Sequence, residues 1–236
     1  MIRVAAVGDL HVGEDSRGTL RSAFRELPAC ADVLLLAGDL TRLGLEDELD
    51  VLVDELDGVT VPCAAVLGNH EYESDRSTAL VKRLQEAGVH VLEGSSAEFV
   101  VDGRTLGIAG TTGFGGGFAG ASGSDFGEPE LKAFIRRTKR MADSLAESLA
   151  ALHTDVRIAL LHFAPVKDTL GAERHEIYPF LGSYLLAEAI DLAGADLIIH
   201  GHAHRGVEHG VTPAGIPVRN VALPVIRQAF KLYSLP

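Results

Sequence analysis

Cysteine is scarce: the chain has two, Cys30 and Cys63, among 236 residues. That is too few for a disulfide scaffold, and no CxxC-like spacing offers thiolates to a metal; both read as packed free thiols. No stretch approaches the roughly 18 apolar residues needed to span a bilayer, which excludes a membrane helix. The opening MIRVAAVGDL is too short and too strand-like for a secretory leader, so the expected location is the cytoplasm. Positive charge is also in short supply, with 21 Lys and Arg against 33 Asp and Glu and a formal net charge of −12. Such a chain repels polyanions at long range, which argues against general nucleic-acid binding. A small anionic substrate stays open, because bound metal ions can invert the field inside a cleft. Internal repeats, linkers and breaks in composition are absent, so residues 1–236 read as a single domain with room for a sizeable core.

What the chain does have is short apolar runs at regular intervals: Ile2–Val7, Val33–Ala37, Val61–Leu67, Arg157–Leu161 and Leu197–Ile199. Brevity and β-branching mark them as strands buried on both faces. Helical spacing covers Leu45–Leu56, Thr78–Ala87, Glu128–Leu152 and Ser183–Ala193, with Pro129 at a first-turn position and Gly88 and Gly194 as stops. Alternating strands and helices predict an α/β domain. A hairpin over Phe99–Ile108, turned by Asp102-Gly103, and two short strands within Val207–Ala222 add enough strands for a second sheet. Two long loops remain. TTGFGGGFAGASGSDFG, from Thr111 to Gly127, reads as a flexible flap with Phe114 or Phe118 against the leaving group. APVKDTLGAERHEIYPFLG, from Ala164 to Gly182, reads as nearly structureless.

Metal-binding side chains follow the apolar runs. GDLH supplies Asp9 and His11, GD supplies Asp39, GNHE supplies Asn69 and His70, ALLH supplies His162, and HGHAH supplies His202 and His204. In α/β sheets the crevice beyond the carboxyl ends of the strands is where ligands bind, so five strands deliver oxygen and nitrogen donors to one edge. An extended chain would also put His200, His202 and His204 on one side, although His200 fits a supporting role behind the others. Imidazoles with carboxylates suit two metal ions, and a carboxylate can bridge such a pair. Glycine precedes Asp9, Asp39, Asn69 and His202, letting the backbone turn sharply and bring the donors close.

Taken in order, GDLH, GD, GNHE, the isolated His162 and GHAH closely resemble the calcineurin-like metallophosphoesterase superfamily. The resemblance implies a four-layer α-β-β-α sandwich of two mixed β-sheets flanked by helices, with a dinuclear metal site at the strand C-terminal ends. It implies Asp9, His11 and His204 on one metal, Asn69, His162 and His202 on the other, Asp39 bridging, and His70 unligated beside the substrate. The ions would be two of manganese, iron, zinc, cobalt or nickel, with manganese or iron favoured.

The physical case runs alongside. Two divalent ions, less the charges of Asp9, Asp39 and a bridging hydroxide, leave about +1 to meet a phosphate. The hydroxide would attack phosphorus in line, and His70, an imidazole, would protonate the departing oxygen. Asp39 and His70 are thus the expected catalytic residues. Asn69, His70, Arg42, Phe114, Arg174 and His175 are expected to face the substrate. His90, His153 and His209, near element ends, read as surface or capping residues.

Departures narrow the function. GDLTRLG replaces the GDxVDRG that the Ser/Thr phosphatases of this superfamily carry, and they lack the closing GHxH. Lipid-A pathway hydrolases have arginine where His70 stands, and repair nucleases append further domains. A compact, bacterial-type phosphoesterase acting on a small phosphomonoester or phosphodiester is the expected activity. The alternatives are a nuclease or cyclic-nucleotide phosphodiesterase, and a non-catalytic binding scaffold. No membrane partner is expected.

Overall fold

Apolar runs with no polar alternation need cover on both faces, and the computed structural model, which describes residues 1–236, provides it. In chain order the strands are β1 (Ile2–Val7), β2 (Val33–Ala37), β3 (Cys63–Val66), β4 (Val89–Val91), β5 (Ser95–Val101), β6 (Arg104–Thr111), β7 (Gly117–Phe118), β8 (Ala121–Ser122), β9 (Val156–Leu161), β10 (Leu197–His200), β11 (His209–Val211), β12 (Pro217–Asn220) and β13 (Lys231–Leu235). One sheet has the order β13-β1-β2-β3-β4 and a second the order β11-β12-β10-β9-β6-β5. Inside each sheet the central strands are parallel, while β13, β5 and β11 pair antiparallel.

Successive side chains on a strand divide between two cores. Along β1, Ile2, Val4 and Ala6 face the interior between the sheets, meeting Leu106, Ile158 and Ile199 from the other sheet. Ala5 and Val7 face outward onto Leu49, Leu52, Leu80 and Leu84 of the helices Glu46–Glu55 and Ser77–Glu86. On the far side Ala159 and Ile198 pack on Leu145, Leu149, Leu186 and Ile190 of the helices Pro129–Ala150 and Tyr184–Ala193. Three apolar layers between four layers of secondary structure make the α-β-β-α sandwich. No helix is long and apolar enough to cross a membrane.

Some elements depart from the sequence expectation. Strands β4 and β13 are additional to it, and β3 is shorter than the Val61–Leu67 run because Pro62 lies outside it, giving its carbonyl to the Leu34 N–H at 2.9 Å. The Ala164–Gly182 stretch is ordered rather than structureless: it forms 3-10 turns at Lys167–Leu170 and His175–Ile177 and a short helix at Tyr178–Leu181. The first half of the glycine-rich loop is ordered as well. Gly116 and Gly117 donate to the carbonyls of Pro179 and Gly182 at 2.7 and 2.8 Å, so each long loop orders the other.

Glu55 illustrates a polar group used structurally. Its carboxylate, fully buried, accepts the N–H groups of Gly18, Leu20 and Arg21 at 2.5, 2.8 and 2.7 Å. Burial opposes its charge, but the three N–H donors prevail and hold its pKa below the usual range. Glu55→Ala strands those donors and is expected to lower stability by about 3 kcal/mol in denaturant unfolding. A depressed native pKa means that the unfolded chain binds the proton first, near pH 4.3. The stability due to Glu55 is therefore present above that pH and lost as pH falls through the native value. The variant should lack this part of the acid-side slope.

Candidate metal centre

Parallel pairing of β1 and β2 does not stop at their ends. The N–H groups of Asp9, His11 and Val12 donate to the carbonyls of Gly38, Asp39 and Leu40 at 2.9, 3.0 and 3.0 Å. Within this continued ladder Asp9, His11 and Asp39 take left-handed φ values of 56°, 44° and 48°, and His202 takes 66°. Non-glycine residues rarely stay there, and concentrated strain of this kind marks functional sites. The sharp turn expected of the preceding glycines is made mostly by the donor residues themselves. The glycines at 68 and 201 serve close approach: a Cβ on Gly68 would run into the Asp39 carboxylate, and one on Gly201 into the Asp9 carboxylate. Gly201→Ala is expected to destabilise the fold by about 1–3 kcal/mol and to lower metal content, checked by thermal melting and elemental analysis of one preparation.

These turns bring the expected donors together. One ligand atom from each of Asp9, His11, Asp39 and His204 lies within 4.8 Å of the others, and the same holds for Asp39, His162 and His202. Asp39 belongs to both groups. His204 Nε2 stands 2.8 Å from Asp9 Oδ1 and His162 Nε2 stands 3.4 Å from Asp39 Oδ1. Asn69 Oδ1 joins the second group, 3.0 Å from His162 Nε2.

Asp9 and Asp39 are each 1% exposed, and neither has a lysine or arginine partner; histidines alone face them. A buried carboxylate stays ionised only when hydrogen-bond donors, as at Glu55, an opposite charge or a bound cation compensate its lost hydration. Burial opposes the Asp9 charge, but the hydrogen bond from His204, the charges of His162 and His204 and the N–H of His202 hold its pKa below the usual range. His162 and His204 titrate high in return. For His162 burial is outweighed by Asp39 and Asp9; for His204 the Asp9 hydrogen bond leads. His202 is pushed down to about 4, mainly by burial and then by His162, and stays in the neutral form that coordinates metals. The pocket thus asks for positive charge and offers neutral imidazole beside it, a combination that fits two cations.

Ring orientation supports the same fit. Metal-bound histidines characteristically give their other N–H to a carbonyl or carboxylate. His162 Nδ1 lies 2.9 Å from the Ala37 carbonyl and His202 Nε2 lies 3.1 Å from the Phe180 carbonyl. A carbonyl only accepts, so these nitrogens carry the protons and the opposite ones face the cluster. His70 is held likewise, with Nδ1 2.6 Å from the Arg42 carbonyl and Nε2 3.7 Å from Asp39 Oδ2. Its side chain is 36% exposed, which leaves it reachable by a substrate.

Other expected site residues divide. Phe114 lines a cavity of about 450 Å³ together with Asn69 and His202, whereas Phe118 is buried among Ala164, Leu170, Leu181 and Ala203 and does not line that cavity. The Arg42 guanidinium pairs with Asp15 at 2.8 Å; its carbonyl, rather than its charge, serves the site. Arg174 and His175 lie just ahead of Ile177, which lines the cavity, but neither side chain reaches it, and His175 packs on Tyr178 instead. His200 does not share a side with His202 and His204. The left-handed backbone at His202 breaks the alternation and leaves His200 on Thr169, 2.8 Å away. His90, His153 and His209 are exposed, as expected.

Sequence reasoning passed over Glu71, the last residue of GNHE. Fully buried, it accepts the Thr41 N–H and hydroxyl at 2.8 and 2.7 Å and the Gly68 N–H at 2.8 Å, tying the Asp39 turn to the Asn69 turn. Burial, then the neighbouring charge of Asp39, pushes its pKa up to about 7. A charged residue ending a glycine-led ligand motif was the available signal.

Comparison with known proteins gives the same reading. The family model for calcineurin-like phosphoesterases matches residues 2–206. Among solved structures, a phosphopantetheinyl hydrolase from Mycobacterium tuberculosis superposes with a TM-score of 0.72 at 16% identity, covering 99% of this chain and 96% of that one. A Thermus thermophilus protein superposes at 0.58 and 18% identity, covering 99% and 98%. An NAD nucleotidase from Haemophilus influenzae superposes at 0.53 and 16% identity, covering 93% of this chain and 50% of that one. Likenesses at such identity show the fold. No curated protein matches the sequence.

Proposed function

The chain belongs to the calcineurin-like phosphoesterase family, and from that premise we propose that it hydrolyses a small phosphomonoester or phosphodiester. Asp9, His11, Asp39 and His204 would hold one metal ion; Asp39, Asn69, His162 and His202 would hold the other. The ions, manganese or iron in this reading, supply Lewis-acid charge and acidify water when bound. The observation that carries the proposal is Asp39, the one carboxylate common to two donor groups, each confined within 4.8 Å.

The remaining steps belong to the chain's own residues. Asn69 contributes an oxygen without adding negative charge, so the centre stays attractive to a phosphate. The Ala37 and Phe180 carbonyls fix the rings of His162 and His202. The Arg42 carbonyl fixes the His70 tautomer and turns Nε2 toward the cluster, where it delivers a proton to the departing oxygen. A formal net charge of −12 supports a small substrate over a nucleic acid. The names of the phosphopantetheinyl hydrolase and the NAD nucleotidase point the same way. Residues 1–236 act as one catalytic domain in this reading, and its two free cysteines suit the cytoplasm.

Elemental analysis combined with hydrolysis of p-nitrophenyl phosphate and its bis-ester tests the proposal. The expected result is about two transition-metal ions per chain and activity on at least one ester that a chelator abolishes. Hydrolysis that survives complete metal removal overturns it.

A further inference from the structure

The cavity beside Asn69 and His202 is unusual for this chain. Of nine phenylalanines, four line it: Phe114, Phe134, Phe163 and Phe180, drawn from the glycine-rich loop, the Pro129–Ala150 helix, the segment after β9 and the Tyr178–Leu181 helix. Their rings meet at tilted or edge angles, Phe114 with Phe134 at 4.8 Å, Phe114 with Phe163 at 5.7 Å and Phe134 with Phe180 at 6.2 Å. Aromatic rings gathered only to fill a core would be covered. Phe180 is instead 61% exposed, its carbonyl on His202 and its ring at the cavity wall. The Arg137 guanidinium lies 4.4 Å over the Phe114 ring and 5.7 Å over that of Tyr72, two residues beyond His70, and it has no ion-pair partner. It steadies the wall nearest the metal ligands.

We infer that this cavity holds the organic group of the substrate and takes a flat aromatic ring, aryl or nucleobase, by stacking on the phenylalanines. The inference rests on the phosphoesterase reading above and names the substrate class. At about 450 Å³ the space is in the usual range for a small-molecule site. Asn69 and His202 are its only polar liners, and both are engaged at the metal cluster, so no donor or acceptor remains to read the edge of a base. Recognition is by ring face, with little discrimination among bases. A rigid ring also loses less rotational freedom on binding than a flexible chain of the same volume.

Adenosine monophosphate and benzyl phosphate represent the two sources of such a ring, both releasing an alcohol as the ringless esters do. Ribose 5-phosphate and n-hexyl phosphate carry the same phosphate without one. Wild type is expected to turn over at least one ring-bearing ester with kcat/KM roughly tenfold above both ringless ones; which of the two is preferred identifies the source. Phe134→Leu and Phe180→Leu should bring that ratio toward one, and Phe180→Tyr should keep it. Phe180 is exposed, so its replacement leaves the fold intact. A wild-type ratio near one, or a preference for the hexyl ester, overturns the inference and leaves the phosphoesterase reading standing. Failure to hydrolyse any of these four monoesters or bis(p-nitrophenyl) phosphate defeats that reading instead. Calorimetry with adenosine and 1-naphthol then decides the cavity alone: binding that Phe134→Leu abolishes supports it, and no binding to wild type overturns it.

Discussion

Asp39→Asn is expected to drop metal content from about two ions per chain to below one, and to reduce kcat/KM by about 10³-fold or more. The reasoning starts from charge. Asp39 is buried, and the Nε2 atoms of His11, His70 and His162 converge on its carboxylate, that of His162 at 3.4 Å. Removing one negative charge takes attraction from both cations at once, because the residue belongs to both donor groups. Asparagine keeps the shape and still accepts the His70 backbone N–H, now 2.9 Å from Asp39 Oδ1. The far-ultraviolet circular dichroism spectrum should therefore be unchanged while elemental analysis records the loss. A variant that retains two tightly held ions would refute Asp39 as the shared ligand. Asp9→Asn makes the contrast, since Asp9 belongs to one group only; one ion per chain is the expected content there.

The clustered donors were legible in the sequence because they follow strand ends, most of them announced locally. An apolar strand ends, a glycine follows, and the donor stands next to it, as in Gly8-Asp9, Gly38-Asp39, Gly68-Asn69 and Gly201-His202. Nothing about distant pairing is needed to read them, and the parallel strands carry them to one edge. The parts that stayed hidden depend on contacts between remote segments. Strand β13 is half exposed along its length, and it exists because Lys231–Leu235 finds Ile2–Ala6 at the opposite end of the chain. The Ala164–Gly182 segment has no periodicity of its own and is ordered by the glycine-rich loop and by isolated pairing of Ala164 with Gly182. His200 looked equivalent to His202 because alternation is the default of an extended chain. A left-handed histidine is a departure that no local pattern announces. Glu71 binds two turns that are separated by about thirty residues, and only the folded chain shows both.

In the proposed mechanism, holding metal and moving protons fall to different residues. His70 sits where a ligand could be, beside His11 with ring centroids 4.4 Å apart, yet it belongs to neither donor group. His70→Ala is expected to keep both ions and lose about 10²–10⁴-fold in kcat on alkyl phosphates, the range for a positioned general acid. On p-nitrophenyl phosphate the loss should be far smaller, because p-nitrophenolate departs without a proton. This difference divides the two roles open to the residue. If His70 only positioned the phosphate, both esters would suffer alike, since they present the same group to it. His70→Asn refines the comparison: it retains a hydrogen-bond donor but no transferable proton, so it should recover little on the alkyl ester. Equal losses on alkyl and nitrophenyl esters would show that the proton for the leaving oxygen comes from elsewhere.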